Sequence, residues 1–505
     1  MLHKLAIPRQ ISQIFAKNPL KNILSKSCSN ICLKPCLNLG ANSRTKPCSN
    51  SRLDFVPNLI SRLSLCALCA WVCLFFSSCG IKEINLPAKD PSIYSQDALS
   101  YVAKSSKQKP QDKDTKQKLE SLAKLYLKEH FSAWEITKAN PDKKSVFWAQ
   151  DSLLKNTGFG ENLFPNSLET TKEIYERMNI KAYPSTLTKA IIIETTDVRA
   201  VPSDKPRFKR ADDYPFDQWQ NSLIFANTPV MITHYDTSKE WAHIQSGFVY
   251  GWVKVRDLAI INTHEREILT KIKTYILPVR DKIPIYDRKG EFLTHARVGQ
   301  ILGVASVVRG DYLVYIAKRE ISGKATLIEA RLKPKDFMLF PQSFSPTLTA
   351  QIINTMIGHK YGWGGYLANR DCSAFIRDIF ANFGLYMPRN SYSQGRWARN
   401  MIELDKLDRK QKERYILENG VPFASILWLK GHIMLYIGEY KGKAMVAHSS
   451  WSVRTKKKRV ATKSLLGGVV ITSLYAGEEN NAKDNYTLLI DRILGISNLQ
   501  DKLQE

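Results

Sequence analysis

Past position 79 this sequence holds a single cysteine. Nine occur in 505 residues. Eight are Cys28, Cys32, Cys36, Cys48, Cys66, Cys69, Cys73 and Cys79, which leaves Cys372 alone. A disulfide framework over the bulk of the chain is thereby excluded. HExxH is missing, and so is G-x-x-x-x-G-K-S/T, so zinc-hydrolase and P-loop phosphate chemistry are not indicated. The CxxxCxxxC run at 28–36 has no His or partner cysteines in register for a metal or cluster. No metal and no cofactor are expected. Acidic residues are scarce at the start: residues 1–79 carry ten Lys/Arg against Asp54 alone, or +9 of the formal net charge of +27. The remaining +18 suits an anionic partner such as nucleic acid, phospholipid heads or a carboxylated wall polymer, and charge alone does not choose among them.

Charge is also absent from Leu63 to Phe76, just after Arg62. That run is short for a transmembrane helix, which needs about 20 apolar residues. It has the basic start, apolar centre and small-residue end of an export signal. Ser77-Ser78-Cys79-Gly80 resembles a bacterial lipobox, whose cysteine is acylated, so Cys79 is the expected lipidation site. A lipid anchor facing the periplasm is implied, with Gly80 pointing to the outer membrane. A non-cleaved anchor would equally place the bulk of the chain outside the cytoplasm. No Met stands between Met1 and Met178, which leads to the expectation of a non-Met start codon near Leu53–Leu63. On an exported chain RTKKKR (454–459) reads as a solvated face rather than a nucleic-acid patch, and no nucleic acid is expected as partner.

The pattern divides the rest. Residues 1–79 are extension and signal, and the Lys/Gln/Asp-rich 80–118 a flexible tether. Residues 119–194 show apolar spacing of helical type. From 195 to 342 short strands follow one another, including TPVMITHY, EWAHIQS, YGWVKV, ILGVASVV and DYLVYIA. They form two units, 195–265 and 266–342, with Trp241 and Trp252 expected as barrel core. A helix-plus-strand domain spans 343–480, and 481–505 reads as an amphipathic C-terminal helix.

Within 343–480, apolar residues after Cys372 fall at Phe375, Ile376, Ile379, Phe380 and Phe383, one face of a helix. Asp371 is placed to cap it and Gly384 to end it. Cys372 then lies in the first turn, where free N–H groups and the macrodipole favour a thiolate, with a pKa drawn from about 8.5 towards 3.5–7.5. The adjacent Asp371 opposes this. Two of the nine histidines flank a hairpin: His432 opens HIMLYIGEY and His448 closes KAMVAHSS. A three-residue Tyr440-Lys441-Gly442 loop would set Met434 opposite His448 and both imidazoles on one face. A two-residue Lys441-Gly442 turn would put His448 opposite Leu435, on the wrong face. The first arrangement suits one histidine as base and the other as its orienter.

YGWGG (361–365), DCSAF (371–375), MPRNS (387–391), GHIMLYIG (431–438) and VAHSSW (446–451) follow one another as in the NlpC/p60 family of wall peptidases, which the stretch 345–475 resembles. Trp241 followed by GWV, and YPFDQWQNSLIFANTPV (214–230), resemble the bacterial SH3-like domains attached to such enzymes. The resemblance implies an α+β multidomain protein: a papain-like catalytic domain preceded by two SH3-like β-barrels and a small helical segment. It implies a cysteine endopeptidase of peptidoglycan stem peptides, cutting between D-glutamate and the diamino acid. Cys372 would be the nucleophile, His432 the general base and His448 the polar third member. Tyr361 would stand near the oxyanion through its hydroxyl or backbone; Asp371 and Ser373 would hold substrate, Asp371 by meeting a free amine. Asp217 and Tyr250 are the implied contacts from the first SH3-like unit. Ala374 replaces the commoner glycine and adds only a methyl. Two other readings are a catalytically idle wall-binding lipoprotein and an amidase cutting the sugar–peptide link.

Overall fold

The computed structural model describes residues 86–103, 113–457, 460–480 and 488–504. The export signal and Cys79 lie outside the described residues. Among those residues no helix is long and apolar enough to cross a membrane.

The architecture is α+β and multidomain, as the motifs imply. The helical segment opens with Lys113–Phe131, whose Leu122 and Tyr126 turn inward. A second helix, Leu168–Arg177, is capped by Ser167, which accepts from the Thr170 N–H at 3.0 Å. Trp134 keys this segment to the first barrel by donating its indole N–H to the Ala190 carbonyl at 2.8 Å.

Two barrels follow. The first sheet has seven strands, ordered Gln220–Ile224, Thr196–Arg199, Tyr250–Lys254, Trp241–Gln245, Pro229–Tyr235, Thr188–Ile192 and Leu258–Ile260. It draws Thr188–Ile192 from inside the stretch expected to be helical, because TKAII is β-branched and apolar and its inner residues are buried. Trp241 and Trp252 are buried, but against Val146, Phe147, Leu153 and Met178 of the helical segment rather than in the barrel's own core of Ile192, Val198, Ile224, Ile232 and Val253. The second unit is a five-stranded sheet, ordered Ala325–Leu332, Asp311–Arg319, Leu302–Val308, Tyr275–Pro278 and Phe337–Phe340, with a separate hairpin of Ile283–Tyr286 and Phe292–Ala296.

The last domain is a seven-stranded sheet covered by a helix. Its order is Leu86–Pro87, Val460–Ser473, Lys443–Lys457, His432–Tyr440, Ser425–Leu429, Ile493–Asn498 and Ile402–Glu403. The cysteine helix, Cys372–Ala381, lays Phe375, Ile376, Ile379 and Phe380 on the sheet's Ile426, Ile433, Leu435, Ala447, Val469 and Ile471. Each such fully buried side chain contributes about 1.5–3 kcal/mol, so this interface fixes the helix start.

Two expectations are corrected here. Much of the tether is a strap on the catalytic domain. Leu86–Pro87 pairs in parallel with Ser464 and Leu465. Asp90 accepts from the Ser473 N–H at 2.9 Å and hydroxyl at 2.7 Å, and Asp97 accepts from the Asn354 amide at 2.6 Å. The composition of 104–118 is polar, but Leu86 to Val102 carries Ala98, Tyr94 and Tyr101 into the core. The C-terminal stretch is not one helix either. Leu489–Arg492 and Gln500–Gln504 are short turns of helix around the strand Ile493–Asn498, since Ile493 and Ile496 fill a gap beside Ser425–Leu429.

Candidate active site

Asp371 caps the cysteine helix from an extended backbone, accepting from the Ala374 N–H at 2.8 Å. Cys372 is the first helical residue and only 7% exposed. It opens on a cavity of about 400 Å³ lined by Tyr361, Trp363 and Ser373 from this domain and by Gln220 and Tyr250 from the first barrel. Trp148 of the helical segment reaches the same cavity.

Burial pushes the Cys372 thiol up to about 12, and Asp371 adds to the rise; N–H groups of Ile433 and Ser373 and the Arg389 charge offset it in part. The helix terminus therefore does not win, and the resting group is a thiol rather than the expected thiolate.

The histidines meet. His432 Nε2 and His448 Nδ1 are 2.8 Å apart, and His448 Nε2 is 3.1 Å from Thr472 Oγ1. The turn is the two-residue kind after all, since Tyr440 pairs with Lys443, with Lys441 and Gly442 both at positive φ. A bulge between Tyr436 and Gly438 then takes up one residue, so that Leu435 faces Ala447 and the imidazole faces agree. Val470 stands opposite His448, which sets Thr472 diagonal to it. Burial, then His448 and Arg492, drive the His432 pKa well below the ordinary imidazole value. Burial alone drives His448 down to about 3. Both rings are neutral at rest.

Tyr361 spends its backbone N–H on the Gly467 carbonyl at 2.9 Å, which leaves the hydroxyl as its donor. Burial and the neighbouring Cys372 and Asp371 raise that hydroxyl well above its ordinary pKa, so it stays protonated. Ser373 donates to Asp371 at 3.1 Å and accepts from Arg389 at 2.9 Å. Tyr250 is 38% exposed at the cavity wall, its hydroxyl 3.3 Å from the Ser145 carbonyl.

The two acids differ from expectation. Asp371 Oδ1 accepts from Ala374, Ser373 and Arg389, and Oδ2 accepts from the Gly364 N–H at 3.0 Å and Arg389 Nη2 at 2.8 Å. Burial works to raise its pKa, yet the Arg389 guanidinium holds the carboxyl below the usual range. A carboxylate has about four acceptor positions, so Asp371 has no room for a substrate amine. Asp217 is 3% exposed, and Arg199 Nη1 at 2.7 Å with the N–H groups of Arg207 and Trp219 at 2.8 and 2.9 Å occupies it.

Arg389 is the residue that the motifs named without a task. From MPRNS it clamps Asp371, touches Ser373, and reaches Ser222 of the first barrel at 2.8 Å. Gly364 and Gly365 allow that barrel to approach: both have positive φ, and a Cβ would meet the Gln220 carbonyl at 2.6 Å and Leu223 Cβ at 2.4 Å. Among the described residues no group of three or more His, Cys, Asp or Glu could hold a metal ion.

A thiol at a helix start thus faces the cavity, and the strand after His432 brings its Ile433 N–H to that thiol. The NlpC/P60 family model matches residues 358–469. The NLPC_P60 stabilising domain matches 67–183, an SH3 domain of SH3b1 type 206–254 and one of SH3b2 type 269–306. By these matches the chain carries an NlpC/P60 domain, an NLPC_P60 stabilising domain and SH3 domains of both types. An NlpC/P60 endopeptidase structure from Photobacterium damselae subsp. piscicida shares the fold, with TM-score 0.70 and 24% identity over 84% of this chain and 99% of that one. An NlpC/P60 family protein from Bacillus cereus ATCC 10987 aligns at TM-score 0.43 and 16% identity, over 62% of this chain and 99% of that one. No curated protein matches the chain.

Proposed function

We propose that the chain is a cysteine peptidase of peptidoglycan stem peptides, cleaving the γ-D-glutamyl–diamino acid amide, and that it is held to the cell envelope by lipid on Cys79. One observation carries the chemistry: the His432–His448 contact at 2.8 Å lies on the strand whose next N–H, from Ile433, points at the Cys372 sulfur. That sulfur faces an open cavity.

The reaction requires one tautomer of the hydrogen-bond chain. His432 Nε2 is engaged with His448, so Nδ1 is the free base nitrogen. Nε2–H then donates to His448 Nδ1, and His448 Nε2–H donates to Thr472 Oγ1. Thiol and imidazole are both neutral at rest, so proton transfer accompanies attack. Sγ bonds to the scissile carbonyl carbon as Nδ1 takes the thiol proton. The Tyr361 O–H is the candidate donor to the oxyanion. The C–N bond then breaks, the proton passes to the departing amine, and a thioester remains. Water attacks it, gives its proton to His432, and the sulfur leaves and recovers that proton. His448 orients and stabilises the imidazolium. Ser373 and Asp371 act by holding Arg389, while Tyr250 is a candidate substrate contact.

Purified sacculi test this directly. Wild-type chain should release stem-peptide fragments and Cys372→Ala none; equal release by the variant would refute the assignment. Mass spectrometry of the digest separates the γ-D-glutamyl cut from an amidase cut at the sugar link.

A further inference from the structure

Beneath the nucleophile lies a charge cluster that spans two domains. Arg370, two residues before Cys372, is 3% exposed. Its guanidinium is divided between them. Nε donates to Asp378 Oδ2 of the cysteine helix at 2.7 Å. Nη1 and Nη2 form a fork on Asp281 of the second SH3-like unit, the Nη2–Oδ1 arm at 2.9 Å, and Nη2 also reaches the Val298 carbonyl at 3.1 Å. The Asp281 side chain is 5% exposed and also accepts from the Val298 N–H at 2.9 Å.

A second loop of that unit, 297–301, which holds Asp281 through the Val298 N–H, touches the site by three other means. Arg297 Nη2 donates to the Ala368 carbonyl at 2.6 Å. Val298 sits in the catalytic core with Phe375 and Ile379. Gly299 lies so close to the cysteine helix that a Cβ would meet Asp378 Cα at 2.7 Å. On its other side, the Arg370 carbonyl accepts from the Gly362 N–H at 3.1 Å, one residue past Tyr361, and from Ser449 Oγ at 2.7 Å, one residue past His448. One residue thus joins the segments that carry Tyr361, Cys372 and His448.

We infer that the second SH3-like unit positions the nucleophile, with Asp281 acting through Arg370. A bidentate fork fixes both the place and the plane of the guanidinium, and it adds a hold from the second SH3-like unit to the Asp378 contact on the cysteine helix. Asp281 touches no reacting atom; it is a positioning residue. A displacement of about 1 Å at a reacting atom can cost about 10²-fold in rate.

This inference rests on the peptidase reading, and its test has one arm that does not. In the full-length chain, Asp281→Asn should lower kcat on a stem tripeptide by roughly 10- to 100-fold while KM stays within about twofold. The pH profile of Cys372 alkylation by iodoacetamide, located by mass spectrometry, should shift as well. Gly299→Ala pushes the 297–301 loop, which bonds Asp281 through the Val298 N–H, off the helix and should do both. Either variant, folded by circular dichroism, with wild-type kcat and an unshifted profile overturns the inference. So does a change in KM alone, or failure of both variants to fold, which would make the pair a feature of the fold only. If no tripeptide is cleaved even by the wild type, the peptidase reading fails and the alkylation profile still decides the role of Asp281.

Discussion

Two histidine pairs stand across antiparallel strands in this molecule. His234 faces His243 in the first barrel; His432 and His448 lie diagonally in the catalytic sheet. Both pairs are kept neutral by burial. The difference is what their nitrogens meet. In the barrel, His234 Nε2 binds the Met178 carbonyl at 2.9 Å, and His243 Nδ1 lies 3.0 Å from Thr233 Oγ1. Phe147, Tyr183 and Trp252 close around the rings. In the last domain's sheet the rings bind each other in series, and the series ends on one side at Thr472 and on the other at His432, one residue before the Ile433 N–H that meets the Cys372 sulfur. Burial and a cross-strand partner are common to both pairs; what separates them is that one pair is linked ring to ring and lies on the strand that meets the thiol.

Substitutions should separate the pairs. His432→Ala should cut kcat by about 10²–10⁴-fold, the usual worth of a general base, with little change in melting temperature. His234→Ala should do the reverse, costing about 2–4 kcal/mol of stability through its cavity and lost hydrogen bond while kcat holds within about twofold. Steady-state kinetics beside thermal melts check both, and matching effects would erase the distinction. Thr472→Val removes only the far end of the series; a loss of about 1 kcal/mol, or roughly fivefold in kcat, is expected.

Acid gives the effect that the pairs share. The folded-state pKa of His243 and of His448 is lowered to about 3, below an unfolded value of about 6.5. Below that value the unfolded chain binds more protons, so the stability from each ring is complete above pH 6.5 and is lost as pH falls towards 3. The slope is about 1.4 kcal/mol per pH unit per histidine. Urea melts from pH 7 to pH 4.5 should show it, and kcat/KM should stay flat through neutral pH because His432 is also depressed.

How much of this was legible depends on the range of the cause. The cysteine helix was visible because its periodicity, cap and stop are local. Barrel strands were visible for the same reason. The histidine face was reached through a loop that does not exist: the turn is shorter, and a bulge at Tyr436–Gly438 restores the register. A bulge has no signature in IGEY beyond one glycine. Asp371 was expected to be open because its partner, Arg389, lies eighteen residues away and lacked a stated task. Thiolate character was expected from the helix terminus alone, since burial by a distant sheet and a barrel cannot be read from DCSAF. The strand Ile493–Asn498 was hidden because its apolar spacing also fits a helix, and only the gap beside Ser425–Leu429 decides.

The strap over Leu86–Tyr101 has a mechanical consequence. It leaves the helical segment out of the load path between the chain's start and its cleft. Tension applied at Leu86 is delivered to the strand next to it, Val460–Ser473, through a two-residue parallel pairing and the Asp90 contacts with Ser473. That strand also bears Thr472, the last link behind His448. A pull from the chain's leading end would therefore be felt first at the back of the histidine series, and the barrels would follow as passengers.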